Sequence, residues 1–160
     1  MQYRNIDSPI GALLIAGDAD GLRFVLFGGG RDRTEPAPEW EPDRGLLREP
    51  IRQLSAYFAG QLREFDLPLA PEGTPFQHRV WQQLQRIPYG ETISYGELAR
   101  RIGNSKAVRA VGLANGSNPI SIVIPCHRVI GSNGSLVGYG GGLPVKQALL
   151  SLERGQRTLL

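Results

Sequence analysis

The sole cysteine of this 160-residue chain, Cys126, is followed directly by His127 in the stretch PCHRVI at 125–130. A thiolate is the reactive form of cysteine, and a resting pKa of about 8.5 leaves only a few per cent of it ionised at neutral pH. A neighbouring base raises that fraction, so Cys126 and His127 form a candidate nucleophile and base. The pair alone also allows a buried structural cysteine beside a turn histidine. A single thiol excludes an internal disulfide and a zinc site of several thiolates.

Two features bear on how this pair would be arranged. The apolar run ISIVI at 120–124 predicts a strand leading to Cys126, and adjacent strand residues point to opposite faces. Direct contact between Cys126 and His127 is therefore unexpected, which favours a water-bridged or turn arrangement. Glu153 lies in the last turn of a predicted helix, Pro144–Arg154, where a carboxylate opposes the helix dipole. It is either a solvated surface residue or a group that orients a histidine.

A helix-turn-helix pattern precedes the cysteine. Spacing predicts one helix over Tyr95–Ile102, a turn at 103–105 and a second helix from about Lys106 to Ala114. Ser94 followed by Glu97 predicts a capping box at the start of the first helix. The second helix carries basic and small side chains, so a nucleic-acid backbone could approach it closely.

Charge is divided unevenly between the two halves. Residues 1–74 have 8 basic and 12 acidic side chains, whereas residues 75–160 have 10 basic and 3 acidic ones. A C-terminal half of net charge +7 favours a polyanionic partner, although ordinary solvated surface or an acidic protein partner would also fit.

The remaining pattern predicts the supporting elements. Three short strands are expected at Gln2–Ile6, Ala12–Ala16 and Leu22–Phe27, then a loop over 28–42, a helix over 43–59 and a further strand at Leu62–Leu69. A linker at 70–75 leads to a helix over 76–87. Turn and loop residues occupy 131–134 and 136–142. Apolar runs are far shorter than a membrane span, and one unpaired cysteine without an export signal favours the cytoplasm.

Six segments fall in the order and spacing of one known family. They are PCHRVI at 125–130, YGELA at 95–99, VRAVG at 108–112, Asn118-Pro119, and the segments 138–143 and 146–153. Together they resemble the O6-alkylguanine-DNA alkyltransferases, also called methylated-DNA–protein-cysteine methyltransferases, of the compact bacterial type. The resemblance is specific over about residues 75–154 and weaker over 1–74.

The resemblance implies an α/β (α+β) fold in two domains. Residues 1–74 would form a ribonuclease-H-like antiparallel sheet with a helix and a linker. Residues 75–160 would form the helix-turn-helix, winged-helix-like alkyltransferase domain that binds DNA and holds the active site.

The resemblance also implies residue roles. Cys126 would accept the alkyl group, His127 would act as its base through an ordered water, and Glu153 would hold His127 in the right tautomer. Asn118 would tie the recognition helix to the active-site turn, and Tyr95 would donate towards the departing guanine. Arg109 would fill the gap left by the flipped nucleotide. Further DNA contacts would come from Tyr95, Ser94, Lys106, Ala107, Gly112, Asn115 and Ser132. The guanine pocket would be lined by Val129, Tyr139, Gly140 and Pro119.

The implied function is direct DNA repair. The protein would flip O6-alkylguanine, and less readily O4-alkylthymine, out of the duplex and transfer the alkyl group irreversibly to Cys126. A thioether does not hydrolyse readily, so each molecule would act once. The expected partner is double-stranded DNA, bound in the minor groove without sequence preference by a monomer, with cooperative binding left open. No cofactor is expected. No metal is expected either, because some relatives bind zinc through N-terminal cysteine and histidine, and residues 1–74 contain neither.

Three other functions are compatible with parts of the pattern. A non-enzymatic lesion sensor would share the fold, but proteins of that kind lack the cysteine. A helix-turn-helix transcription factor would bind specific sequences in the major groove, usually as a dimer. A cysteine hydrolase using Cys126, His127 and Glu153 would turn over repeatedly, with a burst.

Overall fold

The computed structural model describes residues 1–28 and 35–155, and it has the expected mixed α/β fold. An N-terminal sheet and one helix are followed by a helical C-terminal half. The strands are β1 (Gln2–Ser8), β2 (Gly11–Asp18), β3 (Gly21–Phe27), β4 (Glu41–Pro42), β5 (Ile93–Ser94) and β6 (Val129–Ile130). The helices are α1 (Arg48–Phe58), α2 (Pro75–Leu84), α3 (Tyr95–Arg101), α4 (Val108–Gly116) and α5 (Leu143–Glu153), with a 3₁₀ turn at Cys126–Arg128.

The N-terminal sheet has the strand order β3-β2-β1-β4. The three predicted strands are confirmed, and they pair in antiparallel fashion. The short strand β4 was not predicted, since it lies within the expected loop over 28–42 and pairs parallel to β1. A two-residue strand has no periodicity that a sequence pattern could reveal. Residues 29–34 of that loop lie outside the described part of the chain.

Two N-terminal predictions were wrong. Helix α1 begins at Arg48 rather than 43, because the Asp43 side chain accepts hydrogen bonds from the backbone of Gly45 and Leu47 and holds a turn there. The predicted strand Leu62–Leu69 provides only an isolated bridge between Leu22 and Leu69.

The helix-turn-helix prediction is confirmed in outline, with two corrections. Helix α4 begins at Val108 rather than Lys106, because Asn104 Oδ1 accepts from the backbone N–H of Lys106 and extends the turn. The Ser94 hydroxyl caps α3 through the N–H of Glu97. The Glu97 carboxylate pairs instead with Arg100 and Arg101, so the expected capping box is only half formed.

The predicted strand over 120–124 is wrong and is replaced by a tight turn. Ile122 has a φ of 73°, a left-handed conformation that is costly for a β-branched residue. The side chain of Asn118 stabilises this turn from both ends. It accepts from the N–H of Ile120 at 3.0 Å and donates to the carbonyl of Ile124 at 2.7 Å. The chain therefore reaches Cys126 from a turn, and its apolar residues are buried because they belong to the core rather than to a sheet.

One hydrophobic core runs through both halves. The Val25 backbone of β3 donates to the carbonyl of Pro119 at 3.0 Å and accepts from the N–H of Ser121 at 3.2 Å. The N-terminal sheet thereby supports the segment that leads to Cys126. Within the described residues, no helix combines the length and apolar character that crossing a membrane would require.

Candidate active site

Cys126 begins the 3₁₀ turn and lies at the wall of a cavity of about 530 Å³. It is buried, with 6% of its surface exposed. The Cys126 carbonyl accepts from Asn115 Nδ2 of helix α4 at 3.4 Å, and the Cys126 N–H donates to Ile124. Cys126 and His127 therefore lie together in a turn, which was one of the arrangements that the sequence favoured.

His127 is fully buried beside Glu153. Its Nε2 lies 2.6 Å from Glu153 Oε2. A carboxylate only accepts hydrogen bonds, so Nε2 carries the proton and Nδ1 is the basic atom of the neutral ring. Among the described residues, Nδ1 has no hydrogen-bond partner. The pair thus presents an imidazole of defined tautomer next to the residue that bears the thiol.

Glu153 receives hydrogen bonds on both oxygens. Arg128 Nε donates to Oε1 at 2.7 Å and Arg128 Nη2 donates to Oε2 at 3.1 Å, while the Tyr57 hydroxyl donates to Oε2 at 2.6 Å. Burial raises the pKa of Glu153, but hydrogen bonds and charge from His127 and Arg128 outweigh it and lower this pKa to about 2. Burial lowers the pKa of His127 below its ordinary value, against the opposing effect of Glu153. The permanent positive charge that holds the carboxylate is therefore that of Arg128.

Arg128 and Tyr57 were missed by the sequence reasoning. Arg128 is only 7% exposed. Because arginine is usually a surface residue, its residue type gave no reason to expect it to be buried at the site. Tyr57 lies on α1, 96 residues from Glu153, and nothing in its local pattern indicates this contact. The position of Arg128 directly after Cys126-His127 was the one available signal.

Several of the predicted site residues line the cavity. Its lining includes Tyr95, Asn115, Asn118, Tyr139 and Gly140 together with Cys126. The Tyr139 ring packs against Phe27 of β3, with ring centroids 5.5 Å apart. The N-terminal sheet therefore also supports this wall of the cavity.

Two predicted pocket residues are not part of the lining. Val129 is fully buried in β6, where it pairs with Ile93, and Pro119 binds the β3 backbone through its carbonyl. The contact of Val129 and Pro119 with a bound guanine stays a prediction.

A buried lysine that was not singled out supports the cavity loop. Lys146 Nζ donates to the carbonyl of Val129 at 2.7 Å and to those of Val137 and Gly138 at 3.3 Å. Burial lowers the pKa of Lys146, whereas the charge of a Cys126 thiolate would raise it. Lys146 therefore holds the loop in place and favours the ionised form of the cysteine.

Tyr95 connects the opposite sides of the cavity. Its hydroxyl donates to the carbonyl of Val137 at 3.0 Å. Burial is the main cause that raises its pKa, so the phenol keeps its proton. Tyr95 is consequently a hydrogen-bond donor at the cavity, where its one hydroxyl proton is bonded to the Val137 carbonyl, and its donation to a departing guanine stays a prediction.

The predicted DNA contacts divide into exposed and buried residues. Arg109, Lys106 and Ser132 are exposed, and Ala107 and Gly112 are half-buried near the start and middle of α4. Leu113 lies one helical turn beyond Arg109 and is 73% exposed at the rim of the cavity. Arg109 and Leu113 share one face of the helix because they are four residues apart.

Asn115 has a structural role that the sequence did not show, whereas the role of Ser94 as a helix cap was predicted. Asn115 is 6% exposed and lies in the cavity wall, where its amide binds the Cys126 carbonyl, and its contact with DNA stays a prediction. Ser94 is half-buried, and its hydroxyl accepts the N–H of Glu97 as the N-cap of α3.

Comparison with known proteins gives matches along nearly the whole chain. Residues 1–71 match the family model of the 6-O-methylguanine DNA methyltransferase ribonuclease-like domain, and residues 75–155 match that of the DNA binding domain. A methylated-DNA–protein-cysteine methyltransferase of Methanosarcina acetivorans is 56% identical, over 96% of this chain and 98% of that protein. One of Mycobacterium bovis is 54% identical, over 98% of this chain and 94% of that protein.

A solved structure agrees with the sequence relatives. The crystal structure of Mycobacterium tuberculosis OGT in complex with DNA superposes with a TM-score of 0.91 at 53% identity. The match covers 99% of this chain and 96% of that one.

Proposed function

Because the chain belongs to the 6-O-methylguanine DNA methyltransferase family, we propose that it repairs DNA directly by transferring the alkyl group of O6-alkylguanine to Cys126. The observation that carries this proposal is the position of Cys126 at the cavity wall, directly before a buried His127–Glu153 pair of fixed tautomer. O4-alkylthymine is a second, slower substrate. The functions named for the similar proteins, and the DNA bound by the Mycobacterium tuberculosis protein, support the assignment.

The reaction moves one proton and one alkyl group. An ordered water passes the thiol proton of Cys126 to Nδ1 of His127, and the thiolate attacks the alkyl carbon. The S–C bond forms as the C–O6 bond breaks, and the electron pair stays with guanine. The departing guanine takes up a proton from water, and the imidazolium of His127 returns the thiol proton to water. The Tyr95 hydroxyl exchanges the Val137 carbonyl for the guanine and donates a hydrogen bond towards it. Glu153 keeps the imidazole oriented and stabilises its transient charge.

The substrate base must leave the duplex before it reaches Cys126. The alkylated oxygen lies within the base stack, and flipping costs a few kcal/mol. Arg109 lies on the exposed face of α4, one helical turn before the cavity-lining Leu113, and its guanidinium offsets this cost by filling the gap. Small residues such as Gly112 allow a close, sequence-neutral approach in the minor groove. Lys106 and Ser132 contact phosphates, and Ala107 packs near the sugar edges.

Intact-protein mass spectrometry tests the reaction. Incubation with a duplex containing one O6-methylguanine should add the mass of a single methylene group, on the peptide that contains Cys126. Since the chain has one cysteine, the Cys126→Ser variant is a matched control and should gain nothing. Release of more than one equivalent of methyl per protein would contradict the single-turnover mechanism and would favour a hydrolase.

Three further features complete the proposal. The chain divides into an N-terminal domain of residues 1–74 and a DNA-binding domain of residues 75–160, in agreement with the two family models. It acts in the cytoplasm, as the single unpaired cysteine favours. It binds DNA as a monomer and needs no cofactor.

A further inference from the structure

Tyr57 brings the N-terminal half of the protein into contact with the active site. It lies on α1, is fully buried, and packs at 5.5 Å from Phe65 and 6.3 Å from Tyr89, measured between ring centroids. Its hydroxyl lies 2.6 Å from Glu153 Oε2. This is the same oxygen that accepts from His127 Nε2 and from Arg128 Nη2, so a donor from the N-terminal half competes with two donors from the C-terminal half for one acceptor.

The competition has a predictable chemical effect. Burial and the charge of Glu153 raise the pKa of Tyr57, so the phenol stays protonated and donates. A hydrogen bond donated to a carboxylate oxygen draws electron density from it and reduces its strength as an acceptor for other donors. With Tyr57 in place, Glu153 Oε2 holds His127 firmly in position, but attracts its proton less than a carboxylate without Tyr57 would.

We propose that Tyr57 is a positioning residue for alkyl transfer, which fixes the Glu153 carboxylate and limits how strongly it acts on His127. The role in transfer rests on the proposed function, whereas the effect on His127 is a property of the protein without DNA. The N-terminal half then takes part in the proton relay formed by Cys126, His127 and Glu153, and is not a support for the fold alone.

Several charged and titratable groups surround His127 and Glu153 in the described part of the chain. Glu153 bonds to His127, Arg128 bonds to Glu153, and the charges of Arg128 and Lys146 act on His127. The charge of a Cys126 thiolate would act on Lys146. Tyr89 packs on Tyr57, and the guanidinium of Arg128 lies 5.7 Å from the Tyr89 ring centre. Replacing the Tyr57 hydroxyl leaves all of these groups present, so a change at His127 can be assigned to the lost hydrogen bond.

Nuclear magnetic resonance of the protein without DNA tests the effect on His127. In Tyr57→Phe, Oε2 loses one donor, so the proton on His127 Nε2 should form a stronger hydrogen bond and its resonance should move downfield. Its imidazole should also protonate at a pH higher by about half a unit. The chain has two histidines, and His78 on α2 provides an internal reference that should not move.

A matched variant controls for the loss of a buried hydroxyl. Tyr89→Phe removes a phenol from the same aromatic cluster, where its hydroxyl lies 3.5 Å from the Leu152 carbonyl and does not contact Glu153. This variant should leave the His127 resonance as in the unaltered protein. Site-specific 3-fluorotyrosine at position 57 keeps the ring and makes the phenol a stronger donor, so it should move the resonance and titration the other way, even if Tyr57→Phe folds poorly.

Single-turnover rates against pH connect the relay to repair. A neutral His127 is required as the base, so activity is lost as pH falls through its pKa. Tyr57→Phe should move this loss to higher pH and slow the reaction by about threefold on the acidic side, with little difference on the alkaline side. DNA affinity should be unchanged.

The outcomes separate the two levels of the proposal. Unchanged His127 resonances in both position-57 proteins, or shifts in the same direction, would overturn the role of Tyr57. A uniform loss of rate at every pH would mean that Tyr57 only supports the fold. If the resonances move as expected but no alkyl transfer occurs even in the unaltered protein, the proposed function fails while the coupling stands.

Discussion

Arg128 donates hydrogen bonds to both carboxylate oxygens of Glu153, although the two residues belong to different elements and are 25 residues apart. The arginine also donates to the Ile87 carbonyl at 2.7 Å, so the guanidinium links the end of α5, the segment after α2 and the 3₁₀ turn that begins with Cys126. This resolves the two interpretations of Glu153 that the sequence allowed. Glu153 is 5% exposed and bound to His127, so it is not a solvated surface carboxylate.

Replacing Glu153 with glutamine should therefore be costly. Glu153→Gln leaves the charge of Arg128 buried without its partner, and breaking a buried pair in this way costs about 3–5 kcal/mol. We expect that loss in urea unfolding, together with slower alkyl transfer at neutral pH that partly recovers where the thiolate forms unaided. Glu97→Gln is the control. Because Glu97 pairs with exposed arginines, this variant should change neither the free energy of unfolding nor the transfer rate appreciably. Superimposable rate profiles would show that Glu153 does not act on His127.

Stability should depend on pH through His127. Burial lowers its folded pKa, so below about pH 6.5 the unfolded chain binds a proton that the folded protein does not. Stability should fall as pH decreases from about 7 to 5, and fall again below about 4.5 as Glu153 approaches its folded pKa of about 2. In His127→Gln the first decrease should be smaller, whereas His78→Gln should retain it. Equal slopes in all three proteins between pH 7 and 5 would contradict this assignment.

Asn118 should matter through the turn that it closes. Asn118→Ala removes both hydrogen bonds that hold the left-handed Ile122 turn ahead of Cys126, with an expected loss of about 1–3 kcal/mol. Alkyl transfer should slow on a duplex and on free O6-benzylguanine alike, because the position of Cys126 is affected before any DNA is bound. Asn104→Ala, which removes an exposed turn contact, serves as the comparison. A loss restricted to the duplex would place Asn118 in DNA binding instead.

Arg109 should affect only the reaction that requires flipping. Arg109→Ala should slow transfer from duplex DNA by about tenfold or more, which corresponds to about 1.4 kcal/mol, and leave free O6-benzylguanine nearly unaffected. Lys106→Ala provides the contrast, since losing one phosphate contact should weaken DNA affinity and its salt dependence rather than the rate at saturating DNA. Equal losses on both substrates would mean that Arg109 serves the cavity or the fold.

Local patterns predicted the elements that short-range chemistry determines. The three N-terminal strands, helix α2 and the α3–α4 pair follow from periodicity, turn residues and caps, and each depends on neighbours within a few positions. The same reasoning failed where a single side chain overrides the pattern. Asp43 delays α1, and Asn118 turns the apolar run at 120–124 away from an extended strand.

The sequence by itself determined the reacting pair, because Cys126-His127 is adjacent in the chain and its motif is specific. Only the tertiary structure decided what surrounds that pair. Arg128, Tyr57 and Lys146 are ordinary in sequence and become partners of the site through packing across 25, 96 and 17 residues respectively. The physical reason is that packing in a shared core decides which donors reach the Glu153 carboxylate, and burial there decides which side chains keep their protons. A local sequence pattern does not encode contacts between residues so far apart in the chain.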